Sequence, residues 1–206
     1  MKLYSYPRSS ASYRVRIALH HKGLPFEIEP IDLLAGDQKK REFLELNPQG
    51  VLPTLVDGPV VISQSLAAIE YLEERHPRPP LLPERASDRA RVRQLALVVA
   101  CEIHPLQNLG VLRDLEEELG VAEPERRAWA RGVIERGLQA LEQLVARGPG
   151  GTFCHGSEPT LADLCLVPQL FNARRFECDL RHVPRLLEIE ESCQHLEAFR
   201  NAAPEN

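Results

Sequence analysis

Apolar and polar positions alternate in "KLYSY", which predicts a strand near Lys2–Tyr6. In "SASYRVRIALHHKG" the period lengthens to that of a helix, near Ser12–Lys22, with Gly23 in the place of a C-terminal cap. Further strands are predicted near Phe26–Ile31, Thr54–Asp57 and Val60–Ser63, the last two joined by the tight turn "VDGP". Helices are predicted near Gln38–Leu46 and Ser65–Arg75. Short strands with helices between them imply a small α/β layer over residues 1–80. The proline-dense stretch "HPRPPLLPERASD" (76–88) can neither continue a helix nor pair in a sheet and reads as a linker. Beyond it, from 87 to 206, strand alternation disappears and an all-α domain is expected. Ser87 or Asp88 can cap a long helix through Leu119; a second runs over Pro124–Arg147, and "RGPGG" breaks the chain before a third. Thr160 and Asp163 have capping-box spacing, Pro159 and Leu164 can form the accompanying staple, and "LADLCLVPQLF" is apolar nearly all round, as in a buried central helix.

Composition narrows the function. The 206 residues are 43% hydrophobic and 27% charged, ordinary for a globular chain. The net charge of −5, with basic residues scattered among acidic ones, argues against a nucleic-acid partner. No run approaches the roughly 18 uninterrupted apolar residues of a membrane span, and the N-terminus lacks an apolar leader core, so neither a membrane nor a targeting segment is expected. Cys101, Cys154, Cys165, Cys178 and Cys193 are odd in number and never spaced C-x-x-C. They read as reduced thiols of a cytoplasmic protein, the first four as core residues. His20 and His21 point about 100° apart on a helix, and no metal site is expected.

The chemistry gathers in "RSSASYRVRIAL" (8–19). Ser9, Ser10 and the amides near Ala11 stand at a helix start, with Arg8, Arg14 and Arg16 around them. A helix N-terminus offers unpaired N–H groups and partial positive charge to an anion, but a serine there serves equally as a plain N-cap. In "NPQGVLPTL" (47–55), Leu52-Pro53 is a candidate cis bond that would leave the Leu52 backbone free to pair with an extended peptide. Gln64 and Ser65 in "ISQSLAAIEYL" form a second small cradle, and Gln38 with Lys39 can hold a further carboxylate. Two cradles and a free backbone edge suit a short acidic peptide.

At these residues the chain resembles the zeta class of the glutathione transferases. The match runs through "LYSYPRSSASYRVRIAL", "LNPQGVLPTLVDG", "SQSLAAIEYLEERHP", "EIHPLQNLGVL", "PTLADLCLVPQLFNARRFECDL" and "LEAFR". The resemblance implies a thioredoxin-like N-terminal domain, an all-helical C-terminal domain, a homodimer and bound glutathione. It implies glutathione-dependent cis–trans isomerisation of the diacid maleylacetoacetate, a step of tyrosine and phenylalanine catabolism. It places Ser9 against the glutathione sulfur, with Ser10, Ala11 and Arg14 in the same turn. Gln38 and Leu52 fall toward the glycyl and cysteinyl parts, Gln64 and Ser65 on the γ-glutamyl group, and His104 and Asn108 where the family closes over the thiol. Arg8 and Arg175 match arginines that hold substrate carboxylates.

Two departures matter. Many members carry cysteine where this chain has Ala11, so a glutathione thiolate is left as sole nucleophile. Gly110 replaces an arginine of some bacterial relatives. A free thiol titrates near about 8.5, and each unit of depression needs about 1.4 kcal/mol. One hydrogen bond to the charged sulfur (about 1.5–3 kcal/mol) and a helix terminus (about 0.3–2) supply one to three units. The rivals are maleylpyruvate isomerisation, general zeta-class conjugation or dehalogenation, and a non-catalytic transferase-like assembly module.

Overall fold

A computed structural model describes residues 1–204, which form two compact units: Met1–Leu81 together with 194–204, and Leu82–Cys193. The first contains β1 (Lys2–Ser5), α1 (Ser10–His21), β2 (Glu27–Pro30), α2 (Arg41–Leu46), β3 (Thr54–Asp57), β4 (Val60–Ser63) and α3 (Ser65–Arg75). The sheet order is β2-β1-β3-β4. β1 runs parallel to β2 and antiparallel to β3, and β3 pairs antiparallel with β4, with Leu3 opposite Ile28 and Leu55. This is the mixed, thioredoxin-like layer. Leu3, Val15, Ile17, Leu19, Leu55, Ile69 and Leu72 form its core.

Two buried cations fasten this unit. Lys22 donates to Glu73 at 2.7 Å and to the carbonyls of His76 (2.7 Å) and Pro79 (3.0 Å), tying the end of α1 to the end of α3 and the chain beyond. Arg16 donates to Ser5 Oγ (3.1 Å), to the carbonyls of Tyr6 (3.5 Å) and Pro7 (3.0 Å), and to Ala202 O (2.9 Å). Burial lowers its pKa to about 10. A guanidinium taken from water needs such acceptors in place of its hydration. Tyr13 Oη adds a bond to Phe199 O. The short helix α9 (Glu197–Ala202) therefore packs on α1. The expected all-α range of 87–206 thus ends in residues that belong structurally to the first unit, with 205–206 outside the described residues.

The second unit is helical: α4 (Ala86–Leu97), α5 (Leu109–Glu117), α6 (Glu123–Ala146), α7 (Leu161–Arg175) and α8 (Pro184–Gln194, whose last residue opens 194–204). Twelve of the fifteen residues of α7 are buried. The Asp163 carboxylate accepts from Thr160 N–H (2.7 Å), Thr160 Oγ1 (2.8 Å) and Cys154 N–H (2.8 Å), so one fully buried acid caps α7 and anchors the preceding loop. Burial raises its pKa.

The single helix expected over 87–119 is not one helix. It starts at Ala86 without a side-chain cap, so Ser87 and Asp88 lie inside it. At Val98–Ile103 it widens into π geometry, His104 N–H reaching Val99 O at 2.9 Å, then tightens to 3-10 at Pro105–Gln107 before α5. Pro105 is the cause: it has no N–H, and its ring excludes a regular turn behind it. Gly137 on α6 accommodates the wide turn, because Ile103 occupies the space a Cβ there would need. Ala86–Glu117 holds an 18-residue window of mean hydropathy 1.5, apolar and long enough to cross a membrane by composition. The backbone changes of register and the polar His104, Gln107 and Asn108 interrupt that run.

Smaller corrections follow the same physics. α1 begins two residues early, because Ser9 and not a later serine caps it. The predicted helix at 38–46 divides into a 3-10 turn (Asp37–Lys39) and α2. Cys101 is exposed and Cys178 half-buried, so only Cys154, Cys165 and Cys193 are core thiols.

Candidate functional site

The turn from β1 to α1 is built on short side chains. Ser9 Oγ accepts the N–H of Ser12 at 3.2 Å, capping the helix. A hydroxyl that accepts through a lone pair still has its proton to donate, so capping and binding an anion are compatible tasks for Ser9. Ser10 and Ala11 are buried behind it, and Arg8 is exposed in the turn. Arg14 and Arg16 diverge. Residues two apart on a helix point about 200° apart. Arg16 accordingly faces the carbonyls of the turn, whereas Arg14, 2% exposed, donates to Ser65 Oγ at 3.3 Å. A buried cation thus connects the N-termini of α1 and α3, adding its charge to both helix ends.

The loop before β3 is organised by Asn47. Its Nδ2 donates to Val51 O (2.8 Å) and Thr54 Oγ1 (3.3 Å), and its Oδ1 accepts from Gln49 N–H (3.2 Å). Leu52-Pro53 is cis, and the strand ladder starts at Thr54, so Leu52 stands outside it. Gly50, at φ +60°, passes close to the Gln38 carbonyl, where a Cβ would sit 3.0 Å from the oxygen. Gln64 has φ +74°, a left-handed conformation rare without glycine, and its Nε2 donates to Gln49 Oε1 at 3.0 Å. Gln38 is buried in the 3-10 turn with its Oε1 unpartnered, while Lys39 is exposed.

In the second unit the structure brings His104 and Arg175 into one hydrogen-bonded chain. Gln107 Nε2 lies 3.5 Å from both His104 Nδ1 and His104 O. Asn172 Nδ2 donates to Gln107 Oε1 at 2.5 Å, and Arg175 Nη1 donates to Asn172 Oδ1 at 3.2 Å. Gln107 and Asn172 are buried; Arg175 is exposed. Asn108 is exposed outside this chain and caps α5 through Leu109 N–H at 2.8 Å. Arg174, the neighbour of Arg175, turns away in a two-pronged pair with Glu190.

Sequence profiles of the glutathione S-transferase N-terminal and C-terminal domains match residues 3–80 and 89–202. A probable maleylacetoacetate isomerase of Vibrio cholerae is 47% identical over 206 residues, spanning 99% of this chain and 95% of that protein. A solved holo structure of maleylpyruvate isomerase, a bacterial zeta-class glutathione S-transferase, is 45% identical with a TM-score of 0.97, covering 99% of this chain and 97% of that one. The chain belongs to the zeta class of the glutathione S-transferases. A third relative, the maleylacetoacetate isomerase of Methylobacterium extorquens AM1, was solved with malonate and glutathione bound; it is 41% identical, with a TM-score of 0.96 over 99% of this chain and 96% of that one.

The donor set fits this family's peptide. A glutathione transferase must satisfy a thiolate, two carboxylates and amide N–H groups. This chain offers the Ser9 hydroxyl proton and two helix N-termini over buried Arg14 for anions, and the orphaned Gln38 Oε1 as an amide acceptor. Sequence reasoning passed over Asn47, Gln49, Gln107 and Asn172, which hold the named residues in place. Their signal is weak in one dimension, since amides are common in loops and Gln107 and Asn172 lie 65 positions apart.

Proposed function

We propose that the protein isomerises maleylacetoacetate to fumarylacetoacetate with glutathione as cofactor, in tyrosine and phenylalanine breakdown. The observation that carries the reading is the β1–α1 turn. There Ser9 caps a helix with its oxygen and keeps its proton for an anion, while Ala11 supplies no thiol of its own. Bound glutathione supplies a thiolate that adds reversibly to the maleyl double bond and so permits rotation about it. Ser9 donates to that sulfur, and the α1 N-terminus with Ser10, Ala11 and buried Arg14 lowers its pKa. Gln64 and Ser65 hold the γ-glutamyl end, Leu52 the cysteinyl backbone and Gln38 the glycyl side. His104 and Asn108 orient the thiol or the substrate. Arg8 and Arg175 grip the two acid ends, because a guanidinium meets a carboxylate with two parallel bonds.

Maleylpyruvate shares the maleyl end and is the second reading, supported by the likeness to a maleylpyruvate isomerase. A spectrophotometric assay of both diacids, with and without glutathione, tests the proposal. Maleylacetoacetate is expected to turn over faster, and only with glutathione present. Full activity in thiol-depleted protein rules the mechanism out, and a preference for maleylpyruvate replaces the substrate.

A cytoplasmic homodimer is the setting we propose. Five free cysteines favour a reducing compartment, and exposed Leu97, Leu106 and Leu109 favour a subunit interface on the second unit. Leu95 and Val99 in the same stretch are buried in the chain's own core. A monomer in sedimentation at micromolar concentration contradicts the dimer.

A further inference from the structure

We propose that Asn172, braced by Gln107, is the positioning residue that aims Arg175 at a substrate carboxylate. The inference rests on the reading of Arg175 as a carboxylate-binding arginine. Exposed arginines sample many rotamers, and holding one on a ligand costs that freedom unless a neighbour has already restricted it. Asn172 is such a neighbour, buried one helical turn before Arg175 on α7, with its Oδ1 accepting from Arg175 Nη1 at 3.2 Å. Its amide cannot turn over freely. Nδ2 is committed to Gln107 Oε1 at 2.5 Å, and a reversed amide would set an N–H against the guanidinium. Gln107 is fixed in turn, because once its Oε1 accepts from Asn172 its Nε2 is the end that lies toward His104.

The identity of residue 172 then has a chemical meaning. An amide holds the guanidinium through a neutral acceptor. An aspartate of the same shape would hold it more tightly but as an internal carboxylate, competing with the diacid for the same charge. It would also lose the donor to Gln107. A purely structural role predicts the opposite order, with the isosteric, ion-pairing Asp milder than Ala.

The test measures malonate affinity by calorimetry on glutathione-loaded protein, alongside KM and kcat for the diacid and the affinity for glutathione itself. N172D is expected to raise the malonate Kd and the diacid KM by about 30-fold and N172A by about fivefold, with kcat falling by a smaller factor. Glutathione affinity should stay within about twofold, and N172D should add nothing in an R175M background. An Asp variant no worse than Ala, additive losses on R175M, or matching losses of malonate and glutathione binding each overturn the proposal. If R175M itself leaves malonate binding intact, the reading of Arg175 fails. If R175M abolishes binding and N172D does not weaken it, only the role of Asn172 fails. Should N172D not fold, Gln107→Met removes the brace and is expected to raise the malonate Kd about fivefold; an unchanged Kd overturns the proposal equally.

Discussion

The β1–α1 turn of the first unit and the His104–Arg175 chain of the second hold candidate groups by different means. In the turn, the groups that define the site are backbone N–H donors and short hydroxyls, set by a helix cap and clamped from below by Arg16. In the second unit the backbone leaves α geometry at Val98–Gln107, and the groups are held by side chain on side chain through buried amides. The first arrangement makes a site whose geometry is as stable as the fold. The second makes one whose geometry depends on individual residues and so can be retuned without disturbing the fold.

Four substitutions press on that contrast. The largest effect is expected from Arg16→Met, which strips hydrogen bonds from several buried acceptors. It should cost about 3–5 kcal/mol of stability and reduce glutathione binding with it, read by denaturant unfolding and calorimetry. If glutathione binding survives that loss, the turn is not backbone-built. Next, Arg175→Met should lower catalytic efficiency for the diacid by about 30- to 1000-fold, from two charge-assisted bonds worth about 2–4 kcal/mol after allowance for solvent. Stability and glutathione affinity should hold; equal losses would make Arg175 a folding residue.

Ser9→Ala ranks third. The bound thiol pKa should rise by about one to two units and turnover at neutral pH fall about tenfold to 100-fold, recovering as pH rises through the shifted pKa. The sign follows from stabilisation of the charged form. Removing a donor to the thiolate raises its pKa, so the deficit is largest below the new value and vanishes above it. An unchanged pH–rate profile would reduce Ser9 to a cap. Ser10→Ala is the smallest, within about threefold, because Ser10 is buried behind the turn. A Ser10 effect as large as that of Ser9 would move the donor by one residue.

Legibility in the sequence followed the same division. The strands at Thr54–Asp57 and Val60–Ser63, the α3 boundaries, the capping box at Thr160 and the cis Leu52-Pro53 bond are all local consequences of periodicity and turn chemistry. The serine turn was visible for that reason. Helical geometry alone separates Arg14 from Arg16, and applying it at the turn would have assigned Arg16 to structure. Pro105 likewise announced the break in the 87–119 helix. By contrast, the Gln107–Asn172 bond depends on how two helices pack and has no signature in either segment. Gln64, with a conformation that favours glycine, is held there by contacts such as the one with Gln49 rather than by local preference.

The seat of α9 on α1 has a consequence for how the molecule is made. Synthesis delivers the β1–α1 turn early, yet Tyr13 and Arg16 find acceptors in Phe199 and Ala202, each 186 positions further along. On the ribosome the N-terminal unit emerges first and begins to fold first. It does so with a guanidinium and a phenol still hydrated, waiting for carbonyls not yet translated. The serine turn that Arg16 clamps is therefore complete only once α9 has been made, and a change in α9 is felt at the β1–α1 turn.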